Sequence, residues 1–404
     1  MPYADVIIDQ TGDPTDHYYT YHFEDPNIKV GALVTLPFAR SNRTVTAVVF
    51  RVYNELDQEI TKIKSIGGWE GITLPPESLD TCLWMARRYL CRKNDALRLF
   101  MPPDKPARLS SVQLPYGEDW AEGTEVDALT TEQERALGEM MPSLQQGKQA
   151  SFLLHGVTGS GKTEVYMQLI QCCLEQGKQA IFLVPEIALT QQIIGRFIAR
   201  FGVEKIAVLH SRLTPGQRYV EWMRIRSGEA RIVIGARSAA FAPVEKLGLV
   251  VLDEEHETTY KSDMTPKYDT GEVAFKRVQA HGGVLVLGSA TPSISTMYRG
   301  KQGVYAVLDL KERYNKVPLP EMSVVDMRQE LKEGNRSIFS RALQEMAGKC
   351  LKENKQVILF LNRRGYSNFI SCRECGYIMK CPTCGISLTY HRQKNLGVCH
   401  YCDY

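Results

Sequence analysis

Residues 156–163 read Gly-Val-Thr-Gly-Ser-Gly-Lys-Thr, and Asp253-Glu254-Glu255-His256 closes an apolar run further along the chain. The first segment meets the phosphate-loop pattern at every fixed position. A glycine-rich turn that opens a helix presents backbone N–H groups and the positive end of the helix to an anion. Gly156, Thr158, Gly159, Ser160 and Gly161 would therefore cradle phosphate oxygens. Lys162 would reach the β- and γ-phosphates, and the Thr163 hydroxyl would ligate Mg²⁺. Asp253 would leave a strand tip facing that magnesium, with Glu254 placed to orient or deprotonate the attacking water. Together the two segments describe a triphosphate site with hydrolytic chemistry. A glycine turn and a solvated acidic loop would be the bland alternative.

A second chemistry lies near the C-terminus. The chain has 11 cysteines, and Cys381-Pro-Thr-Cys384 and Cys399-His-Tyr-Cys402 are spaced as two facing zinc knuckles. Four thiolates suit a closed tetrahedral structural Zn²⁺ site, which has no open position for hydrolysis. Gly385 fits the tight turn of a knuckle. Cys372 and Cys375 form a third pair without a fourth. They read as a half-built zinc site or a redox pair, with His391 and His400 as possible further ligands. Cys82, Cys91, Cys172, Cys173 and Cys350 read as ordinary apolar positions.

These residues need elements to hold them. Residues 1–72 carry strand patterns at Ala4 to Ile8, Leu33 to Phe38 and Thr44 to Tyr53. A helical pattern runs from Pro76 to Phe100, and Pro102-Pro103-Asp104-Lys105-Pro106 ends the unit. Residues 107–128 read as a polar linker. From Leu129, with Thr130 able to cap a helix, strands and helices alternate. The strand patterns are Ser151 to His155, Ala180 to Val184, Ile206 to Leu209, Ile232 to Ile234, Leu249 to Leu252 and Val284 to Leu287. Alternation of this kind means a parallel sheet with helices on both faces. A further α/β segment opens near Pro318, with strand patterns at Ser323 to Val325 and Val357 to Leu361 around a helix from Ser340 to Lys352.

The bulk numbers exclude little. The chain has 404 residues, 44% hydrophobic and 24% charged, with a net charge of +3, which alone makes no case for nucleic acid. No apolar run approaches the ~20 residues of a bilayer span, and the N-terminus lacks the regions of a signal peptide. The chain reads as cytoplasmic, without a membrane partner.

Three further segments follow strands: Pro185-Glu186-Ile187-Ala188-Leu189-Thr190, Gly235-Ala236-Arg237-Ser238-Ala239 and Gly288-Ser289-Ala290-Thr291-Pro292. The first two offer N–H groups, hydroxyls and Arg237 to a nucleic-acid backbone, or else plain cap chemistry. The third could sense the γ-phosphate. In order and wording the set resembles superfamily 2 helicases, and more closely the PriA-type replication-restart DNA helicases (primosomal protein N′). The resemblance is carried by GVTGSGKTEVY (156–166), LVPEIALT (183–190), LHSRLT (209–214), IVIGARSAAFAP (232–243), LVVLDEEHE (249–257), GSATPS (288–293) and FLNRRGY (360–366).

That resemblance implies an α/β fold: a RecA-like P-loop motor lobe, a β-rich N-terminal DNA-binding domain, a partial second lobe and a Cys-rich zinc module. The domains implied are 1–106 for 3′-end and fork binding, 107–128 linker, 129–312 first lobe, 313–371 start of the second lobe and 372–404 zinc region. It implies ATP-dependent 3′→5′ unwinding and primosome assembly at stalled forks. ATP, Mg²⁺ and Zn²⁺ are the implied cofactors, with one complete Cys₄ site and a second half-site. Forked and single-stranded DNA, primosome proteins, a single-stranded-DNA-binding protein and a replicative helicase loader are the implied partners. Gln133 would contact the adenine, and His256 would couple nucleotide to DNA. Tyr260, Lys261, Lys267 and Tyr268 would form an aromatic-rich loop that stacks on unpaired bases. A DNA 3′ end would sit near Asp16 to Tyr21, where Tyr19-Thr20-Tyr21 departs from the family's usual Phe-Asp-Tyr.

Two departures are expected. The 107–128 stretch is too short for the family's winged-helix domain. The later motifs of a second lobe, with their arginines, would lie past Tyr404, which predicts impaired hydrolysis, since loss of an arginine finger costs on the order of 10³–10⁵ in rate. The alternatives are a non-catalytic fork-DNA-binding fragment with one structural zinc site, or another P-loop ATPase.

Overall fold

The computed structural model describes residues 2–10, 12, 15–39, 41–55, 63–106, 128–186, 188–318, 320–360, 370, 372, 374–375, 377–391 and 396–404. The linker over 107–127, Ile187 and the Arg363-Arg364 pair lie outside these. The chain divides into two compact units, Met1–Pro318 and Leu319–Tyr404.

The first unit begins with five antiparallel strands in the order β2-β1-β4-β3-β5. They are β1 (Tyr3–Ile8), β2 (Tyr19–His22), β3 (Ala32–Phe38), β4 (Arg43–Tyr53) and β5 (Gly68–Thr73). Side chains alternate between faces along a strand. Val6, Val34, Leu36, Ala47 and Val49 accordingly form one buried cluster. Ile7, Leu33, Val48 and Phe50 point the other way, into the cluster that also holds α1 (Pro76–Arg88), α2 (Lys93–Leu97) and much of the following lobe. Pro76 occupies the first turn of α1, where a missing N–H is harmless.

The lobe is a seven-stranded parallel sheet, β12-β6-β11-β10-β7-β9-β8. In chain order its elements are α3 (Thr131–Gln146), β6 (Ala150–Gly156), α4 (Lys162–Glu175), β7 (Gln179–Leu183), α5 (Gln191–Phe201), β8 (Ile206–Leu209) and α6 (Pro215–Ser227). They continue as β9 (Ile232–Gly235), β10 (Leu247–Leu252), α7 (Thr270–His281), β11 (Val284–Ser289), α8 (Ile294–Lys301) and β12 (Ala306–Leu310). Leu249, Val251, Val284 and Val286 pack on α3 and α4, while Val250, Leu252, Leu285 and Leu287 pack on the opposite side. Burial on both faces explains why these strands read as unbroken apolar runs. Thr130 caps α3 in a reciprocal box, its hydroxyl accepting from the Gln133 N–H at 3.3 Å while Gln133 Oε1 accepts from the Thr130 N–H at 2.8 Å.

The second unit contains α9 (Met327–Lys332), α10 (Arg341–Lys352) and a small hairpin of β13 (Thr389–His391) and β14 (Leu396–Val398). Two expected strands are corrected: residues 323–325 and 357–360 are not strands. A strand needs a ladder partner, and these segments have none among the described residues; Val324 is 96% exposed and Ile358 92%. The helix expected from Ser340 is present, capped by the Ser340 hydroxyl. Among the described residues no helix is long and apolar enough to cross a membrane.

Candidate nucleotide site and zinc centre

Parallel strands deliver their following loops to one edge of the sheet, where ligands bind in such folds. The P-loop leaves β6 and Asp253 leaves β10, with β11 between them. Asp253 is held by its neighbours: its N–H donates to Leu183 O at 2.9 Å, and its Oδ1 accepts from the Tyr166 hydroxyl at 3.0 Å. Tyr166 is fully buried on α4, one turn past Lys162 and Thr163. The tyrosine thus ties the helix that carries the P-loop lysine to the acidic segment, a link the sequence reading missed. Burial raises the Asp253 pKa, and the adjacent Glu254 adds to the rise; the Tyr166 hydroxyl and Lys162 pull against it.

Lys162 Nζ donates to Gly156 O at 2.8 Å, so its ammonium lies across the loop that it opens from. Gln133 is 1% exposed, and its Nε2 donates to Ser160 O at 3.0 Å. Both ends of that amide are occupied, by the helix cap and by the P-loop. Gln133 thus braces the phosphate loop against the cap of α3. Among the described residues the buried Ser160 hydroxyl has no hydrogen-bond partner. Thr163 is half-buried at the first turn of α4.

Glu254 has φ of +49°, an uncommon conformation for a residue with a side chain. It turns the chain so that Glu255 and His256 face the loop after β11. His256 Nδ1 lies 2.8 Å from the Ser289 hydroxyl and 3.6 Å from Glu254 Oε2. Glu255 Oε1 accepts from the Ser293 N–H at 2.7 Å, and Oε2 accepts from the Thr296 hydroxyl at 2.9 Å. The acidic segment and the Ser-Ala-Thr segment are thus one hydrogen-bonded unit. Glu255, which sequence reasoning left without a role, fastens it to α8.

The expected stacking loop is corrected. Tyr260 is 3% exposed and Tyr268 5%, so neither presents a ring to solvent. Tyr260 donates its hydroxyl to Asp253 O at 2.7 Å, and Tyr268 meets Phe241 edge-on at 5.0 Å between ring centres. Apolar surface of this size is more stable buried than wet. Arg237 braces the same loop, donating to Lys261 O at 2.6 Å and Thr259 O at 3.3 Å. Lys261 and Lys267 remain exposed. A cleft of about 480 Å³ runs beside Lys261, lined by Glu186, Ser211, Arg237 and Ser238 and reached by Tyr260 and Tyr268, among others. In the N-terminal sheet, Thr20 donates to Asp5 Oδ1 at 2.9 Å, and Lys93 donates to Asp16 O at 3.0 Å.

Cys381, Cys384, Cys399 and Cys402 bring their sulfurs within 4.8 Å of one another. Cys381 and Cys402 sulfurs are 3.4 Å apart and those of Cys384 and Cys399 3.3 Å, too far for disulfides of ~2.05 Å. Zn–S bonds of ~2.3 Å in a tetrahedron require sulfur separations near ~3.8 Å, so the residues fit the ion. The two halves match. Gly385 N–H donates to Cys381 O at 2.9 Å, and Asp403 N–H donates to Cys399 O at 2.9 Å. Gly385 and Asp403 both have positive φ, +73° and +57°, which a knuckle turn demands. Cys372 and Cys375 are exposed and lie outside this group. His391 and His400 face each other instead, with Nε2 atoms 2.9 Å apart.

Comparison with known proteins agrees with this architecture. Residues 130–299 match the DEAD/DEAH box helicase model, so the lobe with the P-loop is of that helicase class. Residues 5–102 match a 3′ DNA-binding domain model, and residues 381–404 match a Cys-rich region of a DNA helicase. The chain belongs to the PriA family of replication restart proteins. It is 50% identical to the PriA replication restart protein of Bacillus subtilis over 290 residues, covering 72% of this chain and 36% of that protein. Its identity to the Synechocystis relative is 44% over 340 residues, covering 81% and 38%, and to the Rickettsia prowazekii relative 34% over 396 residues, covering 97% and 58%. The chain thus spans less than two thirds of the length of these curated relatives.

Proposed function

We propose that the protein is an ATP-driven 3′→5′ DNA helicase module of replication restart, working in the cytoplasm on forked and single-stranded DNA. The observation that carries this reading is the Tyr166–Asp253 hydrogen bond, which joins the helix behind the P-loop to the acidic segment across β11, the two halves of a triphosphate site. In that site the N–H groups of residues 158–163 and Lys162 hold the phosphates, while Thr163 and Asp253 hold Mg²⁺. The bound cation would screen the phosphate charge. Glu254 orients and deprotonates the attacking water, and His256 with Ser289 relays nucleotide state to the neighbouring loops.

DNA backbone runs through the cleft beside Arg237, with Lys261 and Lys267 supplying charge, and the N-terminal sheet holds a 3′ end. The Cys₄ group holds a structural zinc ion. Primosome proteins, a single-stranded-DNA-binding protein and the helicase loader are its partners. Titration of a fluorescent Mg-ATP analogue and of 3′-ended single-stranded DNA tests the reading. Saturable binding of both, with Lys162→Ala losing nucleotide and keeping DNA, is the expected result. Equal nucleotide binding by wild type and Lys162→Ala would remove the P-loop from its role.

A further inference from the structure

Arg277 lies on the buried stripe of α7 with Thr270, Val273, Ala274 and Val278, and is itself 0% exposed. A guanidinium removed from water must be paired, and its partners come from two places. From the N-terminal part, Glu77 of α1 accepts from Arg277 Nε and Nη2 at 3.0 and 3.1 Å. Glu77 is itself held by the Thr81 hydroxyl at 2.8 Å, and the Phe100 ring lies 5.7 Å from the guanidinium carbon. From the lobe, the carbonyls of Ala240 and Ala242 accept from Nη1 at 2.6 and 3.0 Å. These carbonyls flank Phe241, in the turn that begins with Arg237.

The contacts continue from there. Phe241 meets Phe100 edge-on at 5.1 Å and Tyr268 edge-on at 5.0 Å. The Arg237 guanidinium lies 5.8 Å from the Tyr268 ring and holds the Thr259 and Lys261 carbonyls, and Tyr260 donates to Asp253 O. A packed, hydrogen-bonded series therefore joins an N-terminal carboxylate to the backbone of the candidate metal ligand. Arg277 is the one member whose charge needs both domains at once.

We propose that Arg277 is a positioning residue: it makes the turn at 237–242 and the loop at 258–269 conditional on the docked N-terminal domain, and so links DNA held by that domain to nucleotide binding. The proposal rests on the reading that the two regions bind DNA and nucleotide. If the N-terminal domain shifts, Arg277 loses its carboxylate while remaining desolvated, and the turn that it holds must rearrange.

The test is a titration of fluorescent Mg-ATP analogue on the full chain, with and without 3′-ended single-stranded DNA. Glu77→Gln keeps the shape of the acceptor and removes its charge. Arg277→Lys keeps the charge but replaces the planar fork with a single centre that cannot serve both partners. Both variants should bind nucleotide alone within about twofold of wild type and lose at least ~fivefold of the DNA-linked change in affinity. Arg88→Ala, at the exposed Arg88–Glu272 pair of the same interface, should keep the linkage. An intact linkage in both variants, or an equal loss in Arg88→Ala, overturns the proposal. So does a wild-type chain that binds both ligands without linkage, and that outcome leaves the proposed function standing. Should Glu77→Gln fail to fold, Arg277→Lys and Thr81→Val carry the same expectation, the latter with a smaller loss.

Discussion

Gly288→Ala is the sharpest test of how the two halves of the nucleotide site are joined. A Cβ at this position would overlap the Tyr166 hydroxyl, lie 2.8 Å from Tyr166 Cζ and 3.4 Å from Asp253 Oδ1. The tyrosine is fully buried, so its ring has nowhere to go, and the added methyl must push the hydroxyl off Asp253. Overpacking costs about 1–3 kcal/mol, and a lost hydrogen bond to a charged acceptor about 1.5–3 kcal/mol. The single variant should therefore lose about 3 kcal/mol, a large part of a stability of about 5–15 kcal/mol. Tyr166→Phe alone loses only the hydrogen bond, about 1.5 kcal/mol.

In the double variant the hydroxyl that clashes is gone, and only the tight approach to Cζ remains. The double variant should thus fall short of the summed single effects by at least about 1 kcal/mol, the sign of a shared contact. Urea unfolding followed by fluorescence gives all the corners of the cycle. Effects that add within about 0.5 kcal/mol would refute the reasoning, because they would mean that the β11 backbone yields and the hydroxyl never moves.

Other outcomes follow from the same geometry. The folded-state pKa of Asp253 is raised, so its contribution is present below the ordinary value of 3.8 and is lost as pH rises through the folded value. Asp253→Asn should therefore raise the melting temperature of the ligand-free protein at neutral pH and abolish the stabilisation gained from Mg-nucleotide; an unchanged Mg-nucleotide gain would exclude Asp253 as the metal ligand. Glu77 behaves oppositely: although burial opposes it, Arg277 first, with His281 and the Thr81 hydroxyl beside it, holds its carboxyl at about 2 against an ordinary 4.5. That shift contributes about 3 kcal/mol above pH ~4.5, lost as pH falls toward 2. Glu77→Gln should flatten the pH dependence of unfolding in that window, and a wild-type slope in the variant would count against the pair. Zinc released by thiol modification should amount to one ion per chain and fall away in Cys399→Ser, while Cys372→Ser keeps it; an unchanged release in Cys399→Ser would remove the Cys₄ assignment.

The parts most legible in the sequence are turns whose geometry is set by neighbours along the chain. The P-loop and each zinc knuckle are of this kind, so residue order dictates where N–H groups and thiolates point; the acidic segment is marked by its place after an apolar strand, although Tyr166, Ser293 and Thr296 hold its carboxylates. Strands β6, β7, β10 and β11 were legible because burial on both faces leaves an unbroken apolar run. The edge strand β12 was missed, since Ala306 and Val307 are exposed and the run is broken by Asp309. It matters to the site all the same, because the Val157 N–H of the P-loop donates to Leu310 O at 3.1 Å.

What could not be read depends on partners far away in sequence. Tyr260 and Tyr268 sit among lysines and acids, a pattern that describes an exposed stacking loop equally well. Asp253, Phe241, Arg237 and the buried cluster around them, all distant in sequence or set by the fold, make burial the stable state. Arg277 is the extreme case, an arginine at a position where the stripe of α7 calls for an apolar residue. A buried ion pair seldom stabilises a fold more than well-packed apolar side chains would. Its place at a domain boundary, with acceptors from both sides, fits a demand on register between the two domains rather than on stability alone. Gln133 shows the same dependence on distant partners: its amide joins the cap of α3 to the Ser160 carbonyl, 27 residues further along the chain.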